Sequence, residues 1–262
     1  MTAEALRRQS SVLRTQCRWD EAIDAARRSV DIAVTLKRND LYAEALNAEA
    51  AVHQSRGQFD TAVKLLRRIL EICDDDHRIR GIALQNLGSI AAQRGELDDA
   101  QSLFSESSAA FHKVGYDWGE AAALNNAGRA ALDAGNPRGA ITLLEQACVA
   151  AQRVADADLV ALARINQAAA LGAVGEYGEA ERLASVALGY FSSAGDRWRE
   201  IECLRVLGDL MSAQGSVDPA RRCHERALNL AREIGATADA ALQEARLRHL
   251  PAPGTSASPG AV

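Results

Sequence analysis

Three adjacent residues, Cys223–His224–Glu225, hold the side chains from which a thiolate nucleophile, a general base and an orienting carboxylate could be assembled. Such chemistry needs the base within hydrogen-bond reach of the sulfur. On a helix, neighbouring side chains point about 100° apart, so Cys223 and His224 do not face each other. The competing reading makes His224 a packed histidine, because it falls in a core-facing column with Leu66, Phe104 and Leu144. A second candidate is the run Asp74–Asp75–Asp76–His77, whose oxygens and nitrogen could ligate a cation. Its competing reading is a solvated acidic connector. Trp118 and Trp198, 80 residues apart, are either a stacking platform for a ligand or covers over helix junctions. Trp19 shares its column with Phe59, Leu97 and Tyr177 and reads as core. No phosphate-binding glycine loop, HExxH or GxSxG phrase occurs. The sequence therefore predicts no catalytic residue, no metal site and no cofactor: not an enzyme.

The bulk numbers narrow the classes further. Of 262 residues, 48% are hydrophobic, 25% charged and only 4% aromatic, so a core must be built from Ala, Leu, Val and Ile. Small side chains suit closely approaching helices better than a wide sheet sandwich. A net charge of −5 argues against direct binding to nucleic acid or a membrane surface. No apolar run approaches the roughly 18 residues of a membrane span, and MTAEALRRQS lacks the apolar stretch of a signal peptide. A cytoplasmic location is expected. Cys17, Cys73, Cys148, Cys203 and Cys223 are odd in number and far apart, which predicts reduced, separately packed thiols.

The strongest pattern is a repeat. RGQFDTA at 56–62 returns as RGELDDA at 94–100, and the glycine recurs as Gly57, Gly95, Gly135, Gly175 and Gly215, with Cys17 in the same place earlier. Five residues after each anchor stands Ala22, Ala62, Ala100, Ala140, Ala180 or Ala220. Seven before it stands Ser10, Ala50, Gly88, Gly128, Ala168 or Gly208, always small. Each unit reads as two helices. The anchor glycine ends the first with a left-handed cap, and Asp20, Asp60, Asp98 and Asp218 are placed as N-caps of the second. One such pair cannot bury its own apolar face, whereas six stacked pairs make a continuous core.

In the third unit Leu84, Leu87, Gly88, Gly95, Leu97, Asp98, Ala100 and Phe104 carry the resemblance: the chain resembles the tetratricopeptide repeat family from residue 3 to about 235. The family's unit is about 34 residues and ends in proline. Here the spacing is near 40 and the proline is missing, which places up to six extra residues in the second helix. The longer form is similar to arrays in bacterial transcriptional regulators and polarity adaptors. The expected fold is all-α: a right-handed α-solenoid of six helix pairs over 1–236, a capping helix over 237–250 and a disordered tail over 251–262.

The resemblance also implies a site. In this family the first helices line a concave groove, and asparagines there hold a peptide backbone. Nine residues before the anchors stand Asn86, Asn126 and Asn166, and ten before the fourth stands Asn125. Asparagine is a poor helix former, so propensity does not explain the ladder. A second reading has these amides tie neighbouring helices together. Around the ladder, Arg129, Leu132 and Ile165 would choose the side chains of the bound segment, and Ala169, Gly172 and Ala173 leave room beside them. Lys37, Lys64 and Lys113 all lie outside the groove columns, so the family's lysine-based clamp for acidic tails is not expected. The implied function is a protein- or peptide-binding scaffold. The alternative is the sensory module of a transcriptional regulator whose DNA-binding part lies elsewhere.

Overall fold

A computed structural model describes residues 2–73 and 76–251. Every described regular element is α-helical. In chain order the helices are Ala3–Thr15 (α1), Trp19–Thr35 (α2), Asn39–Ser55 (α3), Phe59–Ile72 (α4), His77–Gln93 (α5), Leu97–Lys113 (α6) and Asp117–Asp133 (α7). Then follow Pro137–Arg153 (α8), Ala157–Ala173 (α9), Tyr177–Ala194 (α10), Arg197–Ala213 (α11), Val217–Glu233 (α12) and Thr237–His249 (α13). They form the expected solenoid of six helix pairs with a thirteenth helix after them. The tail assigned to 251–262 lies outside the described residues beyond Pro251.

The period of 40 is now explained by parts. A 17-residue first helix, a three-residue turn, a 17-residue second helix and another three-residue turn make 40, as in α5–α6. The extra length over a 34-residue unit is thus shared by both helices, not given to the second alone as the sequence suggested. The single interval of 38 arises because α4 has only 14 residues.

Each turn whose residues are all described places one residue in the left-handed region. All five anchor glycines have positive φ, between 78° and 85°, and so does Cys17 at 57°. The turns after second helices use Gly115, Gly195 and Gly235 the same way, but Lys37 and Ala155 stand there at φ 53°. Ala155 N–H donates to Gln152 O at 3.1 Å and Asp156 N–H to Ala151 O at 3.1 Å, the same bond pair that Gly115 and Tyr116 make. A Cβ in this conformation costs roughly 1 kcal/mol. Ala155→Gly is therefore expected to raise the unfolding free energy by about 0.5 kcal/mol, the relief of strain outweighing the added freedom of the unfolded chain. Denaturant titration reads this directly.

The second helices begin two residues earlier than the aspartates implied. Their N-cap positions are Arg18, Gln58, Glu96 and Ser216, none with a side-chain cap, so Asp20, Asp60, Asp98 and Asp218 occupy the second helical residue. There they complement the helix dipole, and two of them link repeats: Arg56 meets Asp20 at 2.7 Å and Arg94 meets Asp60 at 2.5 Å.

The chain divides into two compact units, Met1–Ala134 and Gly135–Val262. Within the first, α1, α3, α5 and α7 follow one another side by side, each second helix packing on the first helices around it. Within the second, α9 and α11 are neighbours in the same way, and α13 lies against α12. Close approach depends on the small column. Gly88 receives the Phe104 ring and Gly208 the His224 ring, so near that an added Cβ would lie 2.9 and 2.5 Å from them. Phe104 and His224 occupy one register nine after the anchor, with Leu66 and Leu144, and all four are buried.

His224 also locks α13. Its Nδ1 lies 2.9 Å from Gln243 Oε1, and its Nε2 lies 3.8 Å from Asp209, which pairs with Arg246 at 2.6 Å and Arg205 at 3.3 Å. Burial pushes the imidazole pKa below its ordinary value; the Gln243 bond and Asp209 oppose this, while Arg246 and Arg205 add to it. The folded form therefore holds the ring neutral, and its stabilisation is full above about pH 6.5 and lost as pH falls below that. Protection of α12 and α13 against hydrogen exchange, corrected for the intrinsic exchange rate, is expected to decline as pH falls below about 6.5, and His224→Leu should flatten that dependence.

Candidate functional site

The first-helix face of each unit is the surface on which the sequence placed a site. In the first unit it is polar and self-paired. Arg7 meets Glu44 at 3.1 Å between α1 and α3, and Asn86 donates from Nδ2 to Asn47 Oδ1 at 2.7 Å between α3 and α5. Gln54 donates to Ser89 at 3.2 Å on the same pair of helices. A cavity of about 240 Å³ opens beside Arg7, Arg14, Glu44 and Asn47, over Ala48 and Ala51. At Asn86 the amide ties two helices, and the residue as a whole is half-buried.

The remaining residues of the expected site divide by depth. Asn126 and Leu132 are half-buried, and Arg129 is exposed, its Nε donating to Asp133 at 3.1 Å. Asn125 lies deeper, 5% exposed. In the second unit Asn166 is also 5% exposed, and Ile165, at 1%, packs in the core with Leu183, Leu207 and Leu210. Ile165 thus supports the surface from below and presents nothing to it. In the second unit the column nine before the anchor turns inward at both places, Asn166 and Val206, whereas column ten holds buried Ile165 but half-exposed Arg205.

One pocket of the second unit was only half visible in the sequence. About 220 Å³ opens between α9 and α11 over Ala169, Gly172 and Ala173, walled by Tyr177 and rimmed by Arg205 and Asp209. Leu210 leans across Gly172, where an added Cβ would come within 2.3 Å of it, and so forms part of the floor. Arg205 and Asp209 were findable from the frame, since they share the columns of Asn125 and Arg129. The Asp209 carboxylate pairs with Arg205 at the rim and also with Arg246 of α13. The small-residue floor suits an apolar side chain.

The other candidates have local roles. The Cys223 sulfur lies 3.9 Å from Met211, its thiol pKa raised by burial, while the His224 ring turns to Gln243. Asp76 caps α5 by accepting from Ile79 N–H at 3.0 Å, and Asp74 and Asp75 lie outside the described residues. Among the described residues no group of three metal-ligating side chains occurs. Trp118 and Trp198 are the second residues of α7 and α11 and are exposed, Trp198 by 59%; the Trp118 ring lies 6.3 Å from that of Tyr116 in the α6–α7 turn. No described helix is long and apolar enough to cross a membrane.

A face of paired first helices, glycine-capped turns and small-residue crossings in one register define a helical-repeat scaffold. Residues 1–75 and 79–153 match the tetratricopeptide repeat model, and the chain belongs to that family. No curated protein matches the chain significantly. Among solved structures it is similar to BtubC (BKLC) from P. vanneervenii, with TM-score 0.69 and 20% identity over 93% of this chain and 98% of that one. It is also similar to a signal transduction ATPase with numerous domains that carries a tetratricopeptide repeat sensor, from Pyrococcus horikoshii. There the TM-score is 0.76 and the identity 14%, over 88% of this chain and 36% of that one. A Rap protein complexed with Competence and Sporulation Factor gives TM-score 0.62 and 14% identity, over 92% of this chain and 72% of that one.

Proposed function

We propose that this protein is a non-catalytic, cytoplasmic scaffold that binds another protein or an extended peptide on its first-helix faces. The observation that carries the reading is the 220 Å³ pocket between α9 and α11, a small-residue notch rimmed by the Arg205–Asp209 pair. It is smaller than the roughly 300–1,000 Å³ of small-molecule sites and suits a single anchoring side chain. In the first unit Asn86 and Asn126 hold the bound backbone, Asn125 orders the surface beneath them, and Arg129 and Leu132 select side chains. In the second unit Asn166 holds the backbone above Ile165. The complex of the Rap protein with Competence and Sporulation Factor gives a precedent for a bound partner on this fold.

The expected test is affinity purification of the full chain followed by mass spectrometry, beside the variant Ala173→Trp. Ala173 is exposed at the end of α9, so tryptophan fills the pocket without entering the core. Partners held by the parent should fall by about tenfold or more on the variant, the loss expected when a buried anchor is displaced. Retention of every partner by Ala173→Trp would remove the pocket from the reading. A second reading, a sensory module within a larger regulator, is favoured by the ATPase whose repeats are described as a sensor, of which this chain spans about a third.

A further inference from the structure

On the second-helix side of the first unit a cleft of about 330 Å³ opens between α4 and α6. Leu87, Ile90 and Leu103 make an apolar floor, Arg67 stands on the α4 wall, and Asp99 and Glu106 stand on the α6 wall.

The repeat frame shows what belongs in this place. Ten residues after the first anchor stands Arg27, and ten after the second stands Arg67. Arg27 Nε donates to Glu49 Oε1 at 2.8 Å, and Glu49, eight before the next anchor, is only 6% exposed. His53, four before that anchor, lies 3.7 Å from Glu49 and 2.6 Å from Gln58. The junction between repeats one and two is thereby closed by its own polar cluster. At the following junction Leu87 stands in the place of Glu49 and Ala91 in that of His53. Arg67 then stands exposed on the cleft wall, with Leu87 where a carboxylate would be, and has no hydrogen-bond or ion-pair partner among the described residues. The other guanidinium of the cleft, Arg94, is already held by Asp60 at 2.5 Å and lies over the Phe59 ring.

We propose that this cleft docks a partner-protein segment presenting an aliphatic side chain flanked by a carboxylate on one side and a lysine or arginine on the other. The aliphatic group covers Leu87 and Leu103. The carboxylate gives Arg67 the bond that Glu49 gives Arg27, and the basic group meets Asp99 and Glu106. A purely anionic ligand would meet the α6 carboxylates, and a purely cationic one would meet Arg67. The volume, at the lower end of the roughly 300–1,000 Å³ of ligand sites, suits such a short stretch rather than a cofactor-sized molecule. The site lies apart from the first-helix faces and stands whether or not they bind a peptide.

A random dodecapeptide display library panned on the full chain, followed by titration of labelled selected peptides, tests this. Arg67→Glu and Ser102→Trp are the variants; both positions are exposed on the cleft walls, and circular dichroism verifies the fold. Peptides with the stated pattern are expected to emerge. They should bind Arg67→Glu about tenfold more weakly, as expected when a charge pair becomes a like-charge contact. Exchange of the peptide carboxylate for lysine should restore that loss, and Ser102→Trp should abolish binding. Ala173→Trp should leave these peptides unaffected. If the selected peptides bind both cleft variants as they bind the parent, or if none is enriched, the proposal is overturned. Loss of binding on Ala173→Trp alone would also overturn it, while leaving the first-helix reading intact.

Discussion

Phe111→Ala is expected to lower the unfolding free energy by about 3–5 kcal/mol, the range for truncating a fully buried aromatic ring. Phe111 is 1% exposed and is among the largest fully buried side chains of the chain. Its ring fills two notches at once: a Cβ added to Gly81 on α5 would lie 2.6 Å from it, and one added to Gly119 on α7 would lie 2.9 Å away. Tyr116 packs edge-on at a centroid distance of 5.2 Å. The ring therefore clamps three consecutive helices, and its loss leaves a cavity that glycine cannot fill. Gly81→Ala alone should also destabilise by about 1–3 kcal/mol through overpacking. Combined with Phe111→Ala it should cost less than the sum, because the added methyl enters the space vacated. Strict additivity of the two would show that the ring does not fill the Gly81 notch. Since each repeat contacts mainly its neighbours, hydrogen exchange should accelerate first in α5, α6 and α7.

The double variant Asn86→Ala, Asn126→Ala is expected to weaken peptide binding on the first-helix face of the first unit about 30-fold. A side-chain amide both donates and accepts, so it matches a peptide unit whatever side chains flank it. Each lost bond costs about 1 kcal/mol, and two such losses amount to about 30-fold. Stability should fall as well, because Asn86 donates to Asn47. Asn47→Ala separates the two roles: it breaks the same interhelical bond at 2.7 Å while leaving the Asn86 amide in place. It should lower the melting temperature and leave affinity near that of the parent. If Asn47→Ala and Asn86→Ala weaken binding equally, the ladder only ties helices.

Much of this architecture was legible in the sequence because it is dictated by local steric rules repeated in register. A left-handed turn favours glycine, and Gly57, Gly95, Gly135, Gly175 and Gly215 mark every first-helix end from the second repeat on. A close crossing tolerates only small residues, and Gly88 and Gly208 stand where the Phe104 and His224 rings pack close. The packed role of His224 followed from its column alone. What escaped the frame were the exceptions: Lys37 and Ala155 in left-handed turns, and aspartates at the second residue of their helices.

Tertiary structure decided the depth of each column and the partner of each polar group. Sequence spacing put Asn86, Asn125, Asn126 and Asn166 on one helical face. Packing then left Asn86 and Asn126 half-buried and sank Asn125, Asn166 and Ile165, because depth depends on how the next helix leans. In the same way Arg27 and Arg67 occupy one register, and only the packed neighbours distinguish them. Glu49 neutralises the first, while Leu87 leaves the second beside an open cleft. Periodicity is a property of the chain, whereas burial and charge pairing belong to surfaces that exist only after the helices stack.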